Sequence, residues 1–135
     1  MPTVFADTAY YIAVLLESDA LHDRSVAFDA ASPTQRTVTT DAVLVEVLAS
    51  FSKRGSGARL VAVDLVDTLC ADPRVTIIHQ TAKPFFAGVD LYRARLDKGY
   101  SLTDCMSMVV CRDLAIADVL THDRHFEQEG FAILL

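Results

Sequence analysis

No apolar stretch in this 135-residue chain reaches the roughly 18 residues that a membrane span needs, because Asp, Glu, Lys or Arg interrupts each one. The opening Met1-Pro2-Thr3-Val4 lacks the basic region, apolar stretch and cleavage site of a secretory leader, so a cytoplasmic protein with no membrane partner is expected. Cysteine is scarce. Cys70, Cys105 and Cys111 are odd in number and form no CxxC pair, which excludes a disulfide framework and points to reduced, buried thiols. There is no glycine-rich phosphate loop and no GxGxxG, so a nucleotide cofactor is not expected. Basic charge is also short. Twelve Lys and Arg against 18 Asp and Glu leave a net charge of −6, which argues against broad, non-specific nucleic-acid binding. A site that works on phosphates could still draw on local groups such as the Lys53-Arg54 pair, Arg93, Arg95 and Lys98.

What remains is an apolar, folded chain. Hydrophobic residues make up 52% and charged ones 22%, enough for a core within one domain covering residues 1–135. The apolar surplus, including the tail Phe131-Ala132-Ile133-Leu134-Leu135, points to a surface buried by a partner. No repeat, low-complexity tract or linker divides the sequence. Short β-branched runs at 4–6, 36–38, 75–78, 119–121 and 131–134 read as strands. Helical spacing covers 8–17, 20–31, 41–54, 58–71, 82–98 and 102–116, with Thr40 as an N-cap, Pro84 in a first turn and Gly99 as a C-cap. Strands separated by helices predict a parallel sheet with helices on both faces, an α/β protein.

Four acids are placed alike in that pattern. Asp7 follows the first strand, Asp123 follows Val119-Leu120-Thr121, Asp104 opens a helix, and Glu46 lies in the apolar helix Ala42 to Phe51. Three have a local explanation. Asp7 can cap a helix, Ser101-Leu102-Thr103-Asp104 fits a capping box, and Thr121 or Asp123 can cap the turn at Arg124-His125-Phe126. Glu46 is harder to explain, for a charge amid apolar residues needs a partner, with Ser50 and Lys53 as the solvent-facing option. Carboxyl ends of parallel strands face one crevice, so acids distant in sequence can converge there. Gathered carboxylates require protons or a cation, and Mg²⁺ or Mn²⁺ acting on a phosphate ester suits such a cluster.

Other residues carry weaker signals. His122 and His125 flank Asp123, yet no second Cys/His cluster completes a zinc site. Cys105 adjoins Asp104 without the His and acid that would make it a nucleophile. Asp90, Arg93 and Asp97 have the spacing of surface ion pairs.

The ordered constellation closely resembles the PIN-domain ribonucleases, particularly the VapC-type toxins of toxin–antitoxin pairs. The resemblance spans essentially the whole chain. It is carried by Val4-Phe5-Ala6-Asp7-Thr8, the Glu46 helix, Ser101-Leu102-Thr103-Asp104, Val119 to Phe126, and Gly130-Phe131. His122 departs from it, standing where the family more often has a small polar residue. The resemblance implies a three-layer α/β/α sandwich with a central parallel sheet. It also implies an endoribonuclease using Mg²⁺ (or Mn²⁺), with catalytic and metal-binding acids Asp7, Glu46, Asp104 and Asp123. Hydrolysis by an activated water would leave a 5′ phosphate and a 3′ hydroxyl. Thr8, Thr121 and Arg93 are candidates for orienting these groups or the RNA substrate. A cognate antitoxin and a second copy of the chain are the partners implied. Two rivals stand beside it: a catalytically silent PIN-like binding module, and a receiver-like phosphotransfer domain. The latter would want an acid after a middle strand, where Ile78-His79-Gln80 offers none.

Overall fold

Strands and helices alternate along the chain, and a computed structural model describes residues 2–135. In chain order these are β1 (Val4–Ala6), α1 (Thr8–Leu15), α2 (His22–Ala31), β2 (Thr37–Thr40), α3 (Asp41–Phe51) and α4 (Ser56–Ala71). There follow β3 (Val75–Ile78), α5 (Ala82–Ala94), α6 (Leu102–Asp113), β4 (Asp118–Leu120), α7 (Arg124–Gln128) and β5 (Ala132–Ile133). All strand pairs are parallel, in the order β3-β2-β1-β4-β5.

That order fixes the layers. From β1 the chain first steps to one side through β2 and β3, then crosses back to β4 and β5. Right-handed crossovers therefore put α1 to α4 on one face of the sheet and α5 to α7 on the other. The packing agrees: α1 lies against α2 and α3, α3 against α4, and α5 against α6. The strand order reverses at β1, with β2 on one side and β4 on the other, and ligands bind at such a switch point. The receiver-like alternative is contradicted here. Its order runs 2-1-3-4-5, with β3 beside β1, whereas β2 separates the two in this sheet.

The central strands β1 and β4 are buried from end to end apart from Asp118, and Phe5, Val119 and Leu120 join Val43, Val47, Met108 and Phe126 in one hydrophobic cluster. The apolar tail is largely spent on this core. Phe131 is buried and Ile133 and Leu135 pack against it, leaving Leu134 exposed, so the tail is not the free partner surface expected from its composition. Exposed apolar side chains lie elsewhere, at Val45 on α3, Leu60, Val61 and Val63 on α4, and Phe86 and Tyr92 on α5.

Several boundaries differ from the sequence reading for local reasons. α5 stops at Ala94, because Arg95 leaves helical geometry and its guanidinium reaches Glu129 at 2.7 Å. Gly99, with φ of +72°, turns the chain into Tyr100 instead of capping that helix. α6 ends at Asp113 in a Schellman-like arrangement, with Ala115 at φ +55° and the Ile116 N–H bonded to Cys111 O at 2.8 Å. Thr40 caps α3 as expected, accepting from the Val43 N–H at 3.1 Å. Cys105 and Cys111 are buried, but Cys70 is exposed, against the expectation of three buried thiols.

Gly88 sets the approach of α5 to α6. A Cβ there would lie 2.5 Å from Met106 Cγ and 3.3 Å from the Met106 backbone nitrogen. Gly88→Ala is expected to destabilise the fold by about 1–3 kcal/mol through overpacking, read as a lower urea midpoint at unchanged slope. An unchanged or raised midpoint would show that the two helices can separate without loss.

Candidate active site

Asp7 leaves the end of β1 at the switch point and is buried, at 5% exposure. It occupies the N-cap position of α1 but makes no side-chain cap bond, so the capping role open to it in sequence is not the one it plays. Its Oδ2 instead accepts the Thr121 hydroxyl at 2.8 Å. Burial pushes its pKa up to about 7, and the nearby charges of Asp104 and Glu46 push the same way; hydrogen bonds from Thr121 and the Thr8 backbone partly oppose this.

Thr121 is fully buried just past β4 and ties two acids together. Its oxygen donates to Asp7 and accepts from the Asp123 N–H at 3.1 Å. Asp123 in turn caps α7, accepting from the His125 N–H at 2.9 Å. The capping box at α6 is also present: Ser101 Oγ accepts the Asp104 N–H and Asp104 Oδ2 accepts the Ser101 N–H, each at 3.0 Å. Burial raises the Asp104 pKa, and the Asp123 charge raises it further against the opposing Ser101 hydrogen bonds. Capping and clustering are thus compatible for Asp104 and Asp123. One carboxylate oxygen serves the backbone while the group faces its neighbours.

Glu46 projects from α3 toward β1. Its Oε1 accepts the Thr8 hydroxyl at 2.5 Å, and Thr8 adjoins Asp7. This replaces the solvent-facing arrangement with Ser50 or Lys53. The structure therefore brings Asp7, Glu46, Asp104 and Asp123 together, with Thr8 and Thr121 each donating a hydroxyl to one of them. Arg93 is not part of the group: its guanidinium bonds Asp90 at 2.9 Å on an exposed face, the ion pair its spacing suggests.

The sequence offers His125 only as a zinc ligand without a second cluster, and the structure places it beside two of the acids. Its Nδ1 is inaccessible to solvent and lacks a well-aligned hydrogen bond, though it lies 3.2 Å from Asp123 Oδ1 and 3.9 Å from Asp104 Oδ2. Its ring packs on Tyr100 with centroids 5.1 Å apart. Ligand atoms of Asp104, Asp123 and His125 all fall within 4.8 Å of one another. The available signal was the i, i+2 spacing from Asp123 at a helix start. His122, the other flanking histidine, is exposed and points instead toward Leu135 O at 3.4 Å.

Oxygen donors converging with one buried nitrogen, and an Asp whose charge is held back by burial and repulsion, form a set that a divalent cation would complete. The carboxylate donors of the set suit hard divalent ions.

Thr121→Val removes the link between Asp7 and Asp123 while keeping the shape. It is expected to cost about 1–3 kcal/mol in stability, and to slow turnover because both carboxylates lose their fixed orientation. Paired urea and turnover measurements check this. A variant with normal stability and normal turnover would show that the bridge is dispensable.

No family model and no curated protein matches the chain. Solved structures do. Mycobacterium tuberculosis VapC20, described as a sarcin–ricin loop cleaving toxin, superposes with a TM-score of 0.83 over 96% of this chain and 97% of its own, at 24% identity. A DNA-bound VapBC from Salmonella typhimurium matches with a TM-score of 0.67 over 99% and 98%, at 15% identity. The fold is the PIN-like α/β/α sandwich of the VapC toxins. In this VapC fold the switch point beside β1 is where the four acids of the sequence resemblance meet. The resemblance drawn from short motifs and the superposition over nearly the whole chain agree.

Proposed function

We propose that this protein is a Mg²⁺- or Mn²⁺-dependent endoribonuclease, the toxin of a toxin–antitoxin pair, working in the cytoplasm. The observation that carries the reading is the convergence of Asp7, Glu46, Asp104 and Asp123 at the switch point, with Asp7 buried and short of any cationic partner. The VapC fold supports the toxin class.

Asp7 and Asp104 would hold the cation, with Glu46 and Asp123 holding a second ion or a water. A divalent ion, when bound, neutralises the carboxylates and supplies the Lewis acidity that phosphodiester hydrolysis requires. The chain's own part is preorganisation. Thr8 and Thr121 fix the rotamers of Glu46 and Asp7, and the Ser101 and His125 backbone N–H groups fix Asp104 and Asp123. Orientation held this way needs no rearrangement when substrate arrives. His125 Nδ1, 3.2 Å from Asp123 Oδ1, adds a nitrogen donor beside that carboxylate.

The partners in this reading are RNA, an antitoxin that covers the site, and a second copy of the chain. The exposed apolar side chains of α3 and α4 are the surfaces available for the two protein partners. Among the described residues no helix is long and apolar enough to cross a membrane.

Purified protein incubated with cellular RNA and Mn²⁺ tests the reading. Discrete fragments bearing 5′ phosphate and 3′ hydroxyl ends, abolished by chelator and by Asp104→Asn, are expected. Cleavage that survives both treatments would come from another centre or a contaminant.

A further inference from the structure

The carboxyl edge of the sheet continues past the acids to β3. Parallel register pairs Phe5 with Val38 and Thr40 with Ile78, so Asp7, Thr40 and Ile78 stand in one row across β1, β2 and β3. Neighbouring strands lie about 4.8 Å apart, which puts the β3–α5 turn about 10 Å from Asp7 on the same edge. There a shallow, open cleft is lined by Asp41, Gln80, Thr81, Ala82 and Phe85. We propose that this cleft, with the adjoining Phe86 ring, is a nucleobase subsite for the single-stranded RNA cut at the acid cluster. The inference rests on the ribonuclease reading and adds to it where a base beside the scissile phosphate is held.

Three features favour a base over another occupant. The first is aromatic. Phe86 is 61% exposed, and its ring meets Phe85 edge-on, with centroids 5.1 Å apart and planes at 87°. An exposed ring held against a second ring offers a fixed stacking platform, the recurring means of gripping unpaired bases. The second is hydrogen bonding. Both Asp41 carboxylate oxygens accept the Gln80 N–H at 2.9 Å, which anchors the turn. Among the described residues the Gln80 carboxamide makes no hydrogen bond, so its donor and acceptor are free to pair with a base edge. The third is charge. Lys83 is exposed and makes no ion pair among the described residues. It supplies positive charge beside an edge otherwise dominated by carboxylates, suited to the sugar–phosphate chain on its way to the acids.

The test compares the unaltered protein with Phe86→Ala and Gln80→Ala. Each is assayed with Mn²⁺ on a randomised single-stranded RNA pool whose cut ends are sequenced, and on bis-p-nitrophenyl phosphate, a diester too short to reach the cleft. Thermal unfolding confirms that each variant is folded. Phe86→Ala is expected to lower the ratio of RNA to model-diester hydrolysis about tenfold, in line with one lost stacking contact. Gln80→Ala is expected to flatten the base preference at one position within about two nucleotides of the cut, the reach of a cleft one or two strands from Asp7. Unchanged ratios and an unchanged cut-site profile in both variants overturn the subsite while leaving the ribonuclease intact. If Phe86→Ala alters only self-association, the ring belongs to a protein interface and the proposal falls. Failure of the unaltered protein to cut any RNA defeats the ribonuclease reading itself, and the subsite with it.

Discussion

Replacing Asp7 with Asn is expected to move activity and stability in opposite directions. RNA cleavage should fall about 1,000-fold, since several kcal/mol of transition-state stabilisation depend on a charged ligand at this position. The metal-free protein should become more stable above pH 7. The Asp7 pKa is about 7 in the folded chain against 3.8 for the free group, so between those values the folded state keeps a proton that the unfolded state has lost. Stability from this group is therefore full below about pH 4 and lost as pH rises to about 7. Burying the bare carboxylate costs on the order of 4 kcal/mol, which the neutral amide avoids. Thermal melts of both proteins in chelator, from pH 4 to pH 8, check the claim. The two curves should diverge as pH rises, with Asn ahead. A variant less stable than the unaltered protein at pH 8 would show that Asp7 is held by a compensating charge not accounted for.

The second large effect links the same group to its cation. Below pH 7 an ion must displace the Asp7 proton, so Mn²⁺ affinity should fall about tenfold per pH unit and about 100-fold between pH 7 and pH 5. Above pH 7 the affinity should level off. Calorimetric titration at several pH values, in buffers of different ionisation enthalpy, reads both the affinity and the protons released. Asp7→Asn should bind more weakly and lose most of this pH dependence. Affinity that is flat from pH 5 to pH 8 in the unaltered protein would mean that Asp7 is ionised without metal, or is not a ligand.

Much of this site was legible in the sequence because its chemistry is tied to strand ends. Asp7 follows the buried run Val4-Phe5-Ala6, and Thr121 and Asp123 follow Val119-Leu120. Once those runs are read as parallel strands, their carboxyl ends have to face one crevice. Glu46 was legible for a different reason, as a charge in an apolar helix whose only local option was Ser50 or Lys53 on the solvent side. The structure supplies that partner in Thr8, 38 positions away. A strand order of β3-β2-β1-β4-β5 was not legible, because local periodicity carries no information on which strands become neighbours. Nor was the place of His125, whose Nδ1 comes within 3.9 Å of Asp104 although the two lie 21 positions apart. The ends of α5 and α6 were misplaced because long-range and backbone effects decided them. Arg95 leaves the helix toward Glu129, and Ala115 adopts a left-handed conformation that ordinarily signals glycine.

Asp104 shows why motif and function are not alternatives. Its Oδ2 accepts the Ser101 N–H in a capping box, yet burial and the Asp123 charge still raise its pKa. A capping carboxylate is held rigidly by its helix, which is the property a ligand or catalytic group needs.

Diffraction from a crystal soaked in MnCl₂, collected at a wavelength where manganese scatters anomalously, shows whether the four acids hold a cation. An anomalous peak bounded by the carboxylates of Asp7, Glu46, Asp104 and Asp123 is expected, lost on soaking Asp7→Asn crystals. Manganese bound elsewhere, with those four side chains unliganded at neutral pH, would contradict it.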